Sequence, residues 1–208
     1  MKIARRLSAA ALVAGLVLVP ATSASAADRC TAKGAKTVVK DSTTRVFYVK
    51  GKGEVKRRYF GCLRNGQKPV ALTSDVTPKS DQDTQTVNEL FAIGGPYVAW
   101  QATSSSDFGV GEFGRGFEAV SLTKGGRNLS VQLPDNADGL KDIAVRSDGA
   151  VAWILDQGDS YREVDGVPSG KTKPVALAYA LGIGDAVGLT SDSATWTQDG
   201  AARSALLP

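Results

Sequence analysis

The residue types that could carry chemistry are few in this chain, and one missing type decides most of the reading. The 208 residues include no histidine and only two cysteines, Cys30 and Cys62. Ser-His-Asp and Cys-His relays need an imidazole to take and return a proton, so neither can be built here. Zinc sites that use imidazole nitrogen are excluded with them. An even pair of cysteines in an exported chain reads as one disulfide. Closing a loop of about 33 residues this way stabilises by roughly 3–4 kcal/mol on the chain-entropy account. Redox pairs have close spacing such as C-x-x-C, which this pair lacks, so the expectation is a structural staple.

Carboxylates are the next candidates. Asp81/Asp83, Asp135/Asp138/Asp142 and Asp156/Asp159 cluster locally. A glycan hydrolase needs two carboxyl groups about 5–10 Å apart across a cleft, a distance that sequence does not contain. Hydrolysis of extracellular glycans by such a pair is therefore the rival reading, with no catalytic residue assigned. Asp135-Asn136-Ala137-Asp138-Gly139 resembles part of a calcium loop. It lacks the third-position ligand and the distal Glu, so it reads as a solvated turn and no metal is expected. Gly109-x-Gly111-x-x-Gly114, preceded by Asp107-Phe108, has the letters of a nucleotide-binding glycine motif. Such a motif must follow a strand and open a helix, whereas this one lies in a Gly/Ser-rich stretch from Thr103 to Gly116, read as a hairpin loop. Gly166 to Thr172 is one residue short of a phosphate loop and reads as a turn. No cofactor is expected.

Charge gives the one binding candidate. Lys50, Lys52, Lys56, Arg57 and Arg58 crowd a single predicted hairpin. Residues 27–68 hold 12 Lys/Arg against Asp28, Asp41 and Glu54, whereas residues 69–208 hold 10 basic and 18 acidic side chains. This asymmetry fits an outward anionic partner, and it fits equally a first repeat packed beside acidic neighbours. The whole chain has 25 Lys/Arg and 21 Asp/Glu, and loss of Lys2, Arg5 and Arg6 with a leader brings the two signs close to balance. The high pI therefore gives no ground for a nucleic-acid partner.

The leader is read from its pattern. Basic Lys2, Arg5 and Arg6 precede an apolar run from Ala9 to Val19, then Pro20 and small residues ending in Ala24-Ser25-Ala26. This is the form of a signal peptide cleaved after Ala26, its apolar run being too short for a bilayer span of roughly 20 residues. Residues 1–26 are thus expected to be removed, leaving 27–208 as a single domain with no membrane span. Its location is expected to be extracellular or cell-wall associated; Arg5-Arg6 leaves the general and twin-arginine export routes open.

The elements that would position these groups are strands. Arg45–Val49, Tyr97–Gln101 and Ala150–Leu155 are short runs rich in β-branched and aromatic residues. Between them stand turn signals such as Lys50-Gly51-Lys52-Gly53, Asn65-Gly66, Gly94-Gly95-Pro96, Lys124-Gly125-Gly126 and Asp199-Gly200. Ser147-Asp148-Gly149 predicts a tight hairpin. Thr73 to Thr86 reads as a long surface loop, and Pro174 to Leu181 fits a strand or a short helix equally. A strand–turn–strand unit recurs, with aromatic landmarks at Tyr48, Trp100, Trp153 and Trp196. The recurrence, about every 50 residues, suits a four-stranded propeller blade of about 40–50 residues. The expectation is an all-β fold with about four blade-like antiparallel repeats; a β-sandwich or an open barrel is the alternative. The three Trp residues are expected in equivalent core positions, the alternative being exposed platforms for stacking sugars.

On Arg45-Val46-Phe47, Tyr59–Leu63, Gly95–Trp100, Asp148–Ile154, Trp196, Gly200 and Arg203–Leu207, the chain resembles uncharacterised secreted, propeller-like repeat proteins of actinobacteria. The resemblance implies a fold and a compartment and brings no catalytic residues with it. It accords with a non-enzymatic binding or scaffold domain whose partner is an anionic envelope polymer or an envelope protein.

Overall fold

A computed structural model describes residues 30–77, 79, 84–106, 112–123, 128–134 and 137–208. The leader, Asp81/Asp83, Asp107 to Gly111, the Lys124-Gly125-Gly126 turn and Asp135-Asn136 lie outside the described residues.

The fold is all-β; the described residues form fifteen antiparallel strands in sheets that do not close. An eight-stranded sheet runs β1 (Lys36–Lys40), β2 (Thr44–Lys50), β3 (Val55–Leu63), β4 (Val70–Val76), β5 (Thr84–Gly94), β6 (Tyr97–Ser106), β7 (Glu112–Ser121), β8 (Asn128–Gln132). A four-stranded sheet holds β9 (Gly139–Val145), β10 (Val151–Asp156), β11 (Tyr161–Val167) and β12 (Val175–Leu181), and a three-stranded one β13 (Ile183–Leu189), β14 (Ser193–Gln198) and β15 (Ala201–Leu206). The eight-stranded sheet is two halves joined at one pair, Val76↔Thr86. The chain thus divides into units β1–β4, β5–β8, β9–β12 and β13–β15, each a meander in sequence order.

The units stack through repeated contacts. β5 meets β1 and β2, β9 meets β5 and β6, and β13 meets β9 and β10. One apolar cluster fills each junction: Val46 and Leu63 against Val98 and Trp100, Phe117 and Leu129 against Ile143 and Trp153, Ile154 and Val164 against Ile183 and Trp196. Alternation of side chains along a strand is what lets one strand serve two junctions. Trp100 faces the unit before it while Ala99 faces the unit after it. Close approach also fixes a glycine, since a Cβ on Gly94 would collide with the Val145 carbonyl of the next unit.

The three tryptophans are buried, at 0%, 1% and 7% exposure for Trp100, Trp153 and Trp196. They occupy the core positions the repeat predicts, and sugar stacking, which needs an open ring face, is ruled out for them. Their registers match: Trp100↔Glu118, Trp153↔Asp165 and Trp196↔Arg203. In the first unit the matching pair is Phe47↔Phe60. The aromatic landmark is therefore Phe47 and not Tyr48, which points to the opposite face. A shared hydrogen bond closes three of the units just beyond these ladders: Arg64 N to Thr43 O at 2.8 Å, Leu122 N to Pro96 O at 2.8 Å and Leu207 N to Asp192 O at 2.7 Å.

Two local expectations change, one open choice resolves to strand, and one turn is shorter than its sequence suggested. Thr73–Val76 and Thr84–Thr86 belong to β4 and β5, so the polar loop is shorter than composition suggested. The Gly/Ser-rich stretch Thr103–Gly116 is largely ladder, with Thr103↔Arg115 through Ser106↔Glu112 extending the Trp100 hairpin outward. Main-chain bonds in register continue a hairpin past its apolar base even where the side chains favour loops. Val175–Leu181 is strand β12, and Gly166 lies inside β11, where a Cβ would press on Leu207. The Ser147-Asp148-Gly149 turn forms as expected, with Gly149 at φ +89° and its amide bonded to Arg146 O at 2.9 Å.

Candidate functional site

The basic hairpin is the end of the β2–β3 ladder. Its turn suits its glycines: Gly53 has φ +62°, and Gly51 leaves no room for a Cβ against the Val55 carbonyl. Thr77 N donates to Glu54 O at 2.9 Å and ties the turn to the end of β4. Lys50, Lys52, Lys56, Arg57 and Arg58 are all exposed.

They do not form one patch on one face. Lys50 pairs with Arg57 and Val49 with Arg58, so Arg57 and Arg58 project to opposite sides of the sheet. Arg57 is committed to its neighbours. Its guanidinium lies 3.5 Å from Asp75 Oδ2, 5.1 Å from the Tyr48 ring centre, and donates to Tyr59 Oη at 3.5 Å. The hydrogen bond to Tyr59 raises the Arg57 pKa. Asp75 is the centre of a buried network: Tyr59 Oη donates to it at 2.8 Å, and Asn88 donates from N and Nδ2 at 3.0 Å each. Burial pushes the Tyr59 phenol up, so it stays a neutral donor. Arg57 braces the junction between β4 and β5. Lys50, Lys52, Lys56 and Arg58 form no ion pair with a described carboxylate. Lys36, opposite Tyr48 on β1, is exposed and adds a cation on the Lys50 side. Sequence reading missed it because only strand pairing brings β1 beside the hairpin.

Cys30 and Cys62 are bonded, with Cα atoms 5.5 Å apart. The bridge holds the segment leading into β1 over the outer face of the first unit. There it buries Phe47 with Phe60 stacked on it at 5.6 Å. Arg45 adds a second tie, donating from Nη1 to Cys30 O at 2.9 Å and from Nε to Thr37 Oγ1 at 3.0 Å.

The carboxylates occupy different surroundings. Asp138, Asp156 and Asp159 line an open cleft of about 460 Å³ with Ser160, Arg162 and Gly182, where the β10–β11 turn meets the start of β13. The turn holds Asp159 at φ +48° and Ser160 at φ +68°, a left-handed pair without glycine. One of the three carboxylates is paired, Lys141 lying 2.7 Å from Asp156, and the cleft's Arg162 is itself 2.7 Å from Asp185. The hydrogen bond from Lys141 holds Asp156 below the usual carboxylate range. Asp165 is the exception. It is 8% exposed on the Trp153 face, and burial, helped by neighbouring Glu163, pushes its pKa up to about 7. It faces packed core and not the cleft. Among the described residues no group of three or more His, Cys, Asp or Glu side chains is placed to hold a metal ion.

The chain matches no family model and no curated protein.

Proposed function

We propose that this protein is an exported, non-enzymatic binding or scaffold domain that contacts anionic cell-envelope polymers through Lys50, Lys52, Lys56 and Arg58. The carrying observation is that these four exposed cations share one hairpin and have no ion-pair partner among the described carboxylates. Long flexible cations around a turn suit a polymer whose charges repeat along a mobile chain better than a single rigid anion. Arg57 serves the reading as the brace that keeps the hairpin against β4.

The architecture belongs to the same proposal: the four units are propeller-like blades in an open arc. Supporting it are the common strand order, the single pair joining β4 to β5 and the aromatic recurring at one register position. The disulfide is consistent with an oxidising, extracellular location. The likeness to secreted actinobacterial repeat proteins is part of this reading.

Co-sedimentation with purified cell-wall material tests it. The protein pellets with the wall at low salt and stays in solution near 0.5 M salt, where screening acts within a few ångströms. Alanine at Lys50, Lys52, Lys56 and Arg58 abolishes the low-salt binding. Failure to bind at either salt overturns the proposal, and turnover of a glycan substrate would move the protein to the hydrolase reading.

A further inference from the structure

The first three units each end on a fourth strand, β4, β8 or β12, whereas the last ends on its third. β15 pairs with β14 from Ser193↔Leu206 to Gln198↔Ala201 without a register shift, and no described strand covers its other edge. The bond from Leu207 N to Asp192 O sets the phase of this ladder. By the antiparallel alternation, Ala201, Arg203 and Ala205 direct their main-chain groups at β14, while Ala202, Ser204 and Leu206 direct theirs outward. Six residues of template thus stand open.

A second edge is unusual too. β12 reads Val-Ala-Leu-Ala-Tyr-Ala-Leu, with no charge, proline or glycine, and it is the terminal strand of its sheet. Val175, Tyr179 and Leu181 are 43%, 62% and 48% exposed, and Tyr179 stacks on exposed Tyr161 at 5.4 Å. With Leu206, 73% exposed, these make up the exposed large apolar side chains of the described residues apart from Val38 and Leu90. The two edges border one apolar cluster, on which Leu177, Ala178 and Ala180 of β12 and Ala205 of β15 all pack. Edge strands are usually blunted by charge or bulges. On β1, an edge of the first sheet, Lys36 and Lys40 do this, whereas β12 has one register shift against β11 but carries no charge.

We infer that the β12 and β15 edges form a dimer interface with a second copy of this chain, β15 pairing antiparallel with its twin. The composition of β15 suits self-pairing. Outward-directed residues must oppose outward-directed ones, so about a two-fold axis at Ser204 that residue meets its twin, Ala202 meets Leu206 and Arg203 meets Ala205; the two arginines do not oppose each other and small side chains admit close backbone approach. One self-complementary interface of this kind covers both edges in both copies. It leaves the basic hairpin of the first unit free, so it is independent of the polymer reading.

Sedimentation velocity of the purified protein across roughly 1–200 µM tests it, a range that brackets a micromolar dissociation constant. The protein sediments as a dimer at the upper end. Ser204→Pro deletes an outward amide and no bond to β14, and Tyr179→Lys puts a charge on the β12 edge. Each weakens the dimer by about tenfold or more, as loss of a central contact does, with near-ultraviolet dichroism unchanged. Tyr179 is exposed, so its variant keeps the test open should Ser204→Pro disturb the sheet. A monomer throughout the range, or a dimer that both folded variants leave intact, overturns the inference.

Discussion

The two ends of the stack solve one problem in opposite ways. In the second to fourth units the landmark tryptophan packs on the unit before it; the first unit has no described predecessor. Its Phe47 side stays apolar, and the Cys30–Ala35 segment covers it, held by the disulfide and Arg45. At the other end, the outward face of β13–β15 carries Gly184, Gly188, Thr195, Thr197, Ala202 and Ser204, small or hydroxylated residues that need no cover, with Leu206 exposed at the β15 edge. A repeat can end by capping an apolar face or by replacing it. The capped end depends on one covalent tie, and the replaced end depends on none.

Substitutions at the junctions and at the two ends sharpen this contrast. The largest loss is expected inside the stack: Trp153→Ala removes a ring 1% exposed and should cost about 3–5 kcal/mol in denaturant unfolding. Its indole N–H has no hydrogen-bond partner among the described residues, as at Trp100 and Trp196. Trp153→Phe therefore costs clearly less than the alanine change, since it loses volume but no hydrogen bond. At the capped end, Cys30→Ser with Cys62→Ser should cost roughly 2–4 kcal/mol, with exchange protection falling first in β1 and β2. A double variant as stable as the parent would break the comparison.

Asp165 gives a pH signature within the third unit. Its folded pKa, about 7, stands above the ordinary value of 3.8, so between those limits the folded chain holds a proton that the unfolded chain has lost. Its contribution to stability is complete below pH 4, falls as pH rises towards 7 and is flat above. At about 1.4 kcal/mol per pKa unit, the span is a few kcal/mol. Asp165→Asn, which keeps the neutral shape, should raise the melting temperature at pH 8 and leave it nearly unchanged at pH 4. Equal effects at both pH values would contradict the assignment. The smallest effect belongs to the open end, where Thr197→Val should stay within about 0.5 kcal/mol of the parent.

Much of the fold was legible in sequence because strand signals and turn glycines are local. The Ser147-Asp148-Gly149 hairpin, the central strands around Trp100, Trp153 and Trp196, and the cysteine pair could all be placed. What failed were judgements that depend on partners. Thr103–Gly116 reads as loop until β6 and β7 are seen pairing, and Tyr48 outranks Phe47 as landmark until register assigns the faces. The candidate site was half legible. Five basic residues marked the hairpin, but the alternation that turns Arg57 toward Asp75 depends on pairing with β2 and β4. Lys36 and the Asp75–Asn88–Tyr59 network depend on which residues of successive strands stand opposite each other, and composition carries no signal for either.

The division among the five cations tests the account most directly. In a titration of a soluble anionic wall polymer at low salt, the protein with alanine at Lys50, Lys52, Lys56 and Arg58 should lose at least about tenfold in affinity, while Arg57→Ala should change affinity by less than about threefold and lower the melting temperature. Equal binding by the quadruple variant and the parent would contradict the assignment of those four side chains, and with it the proposed function.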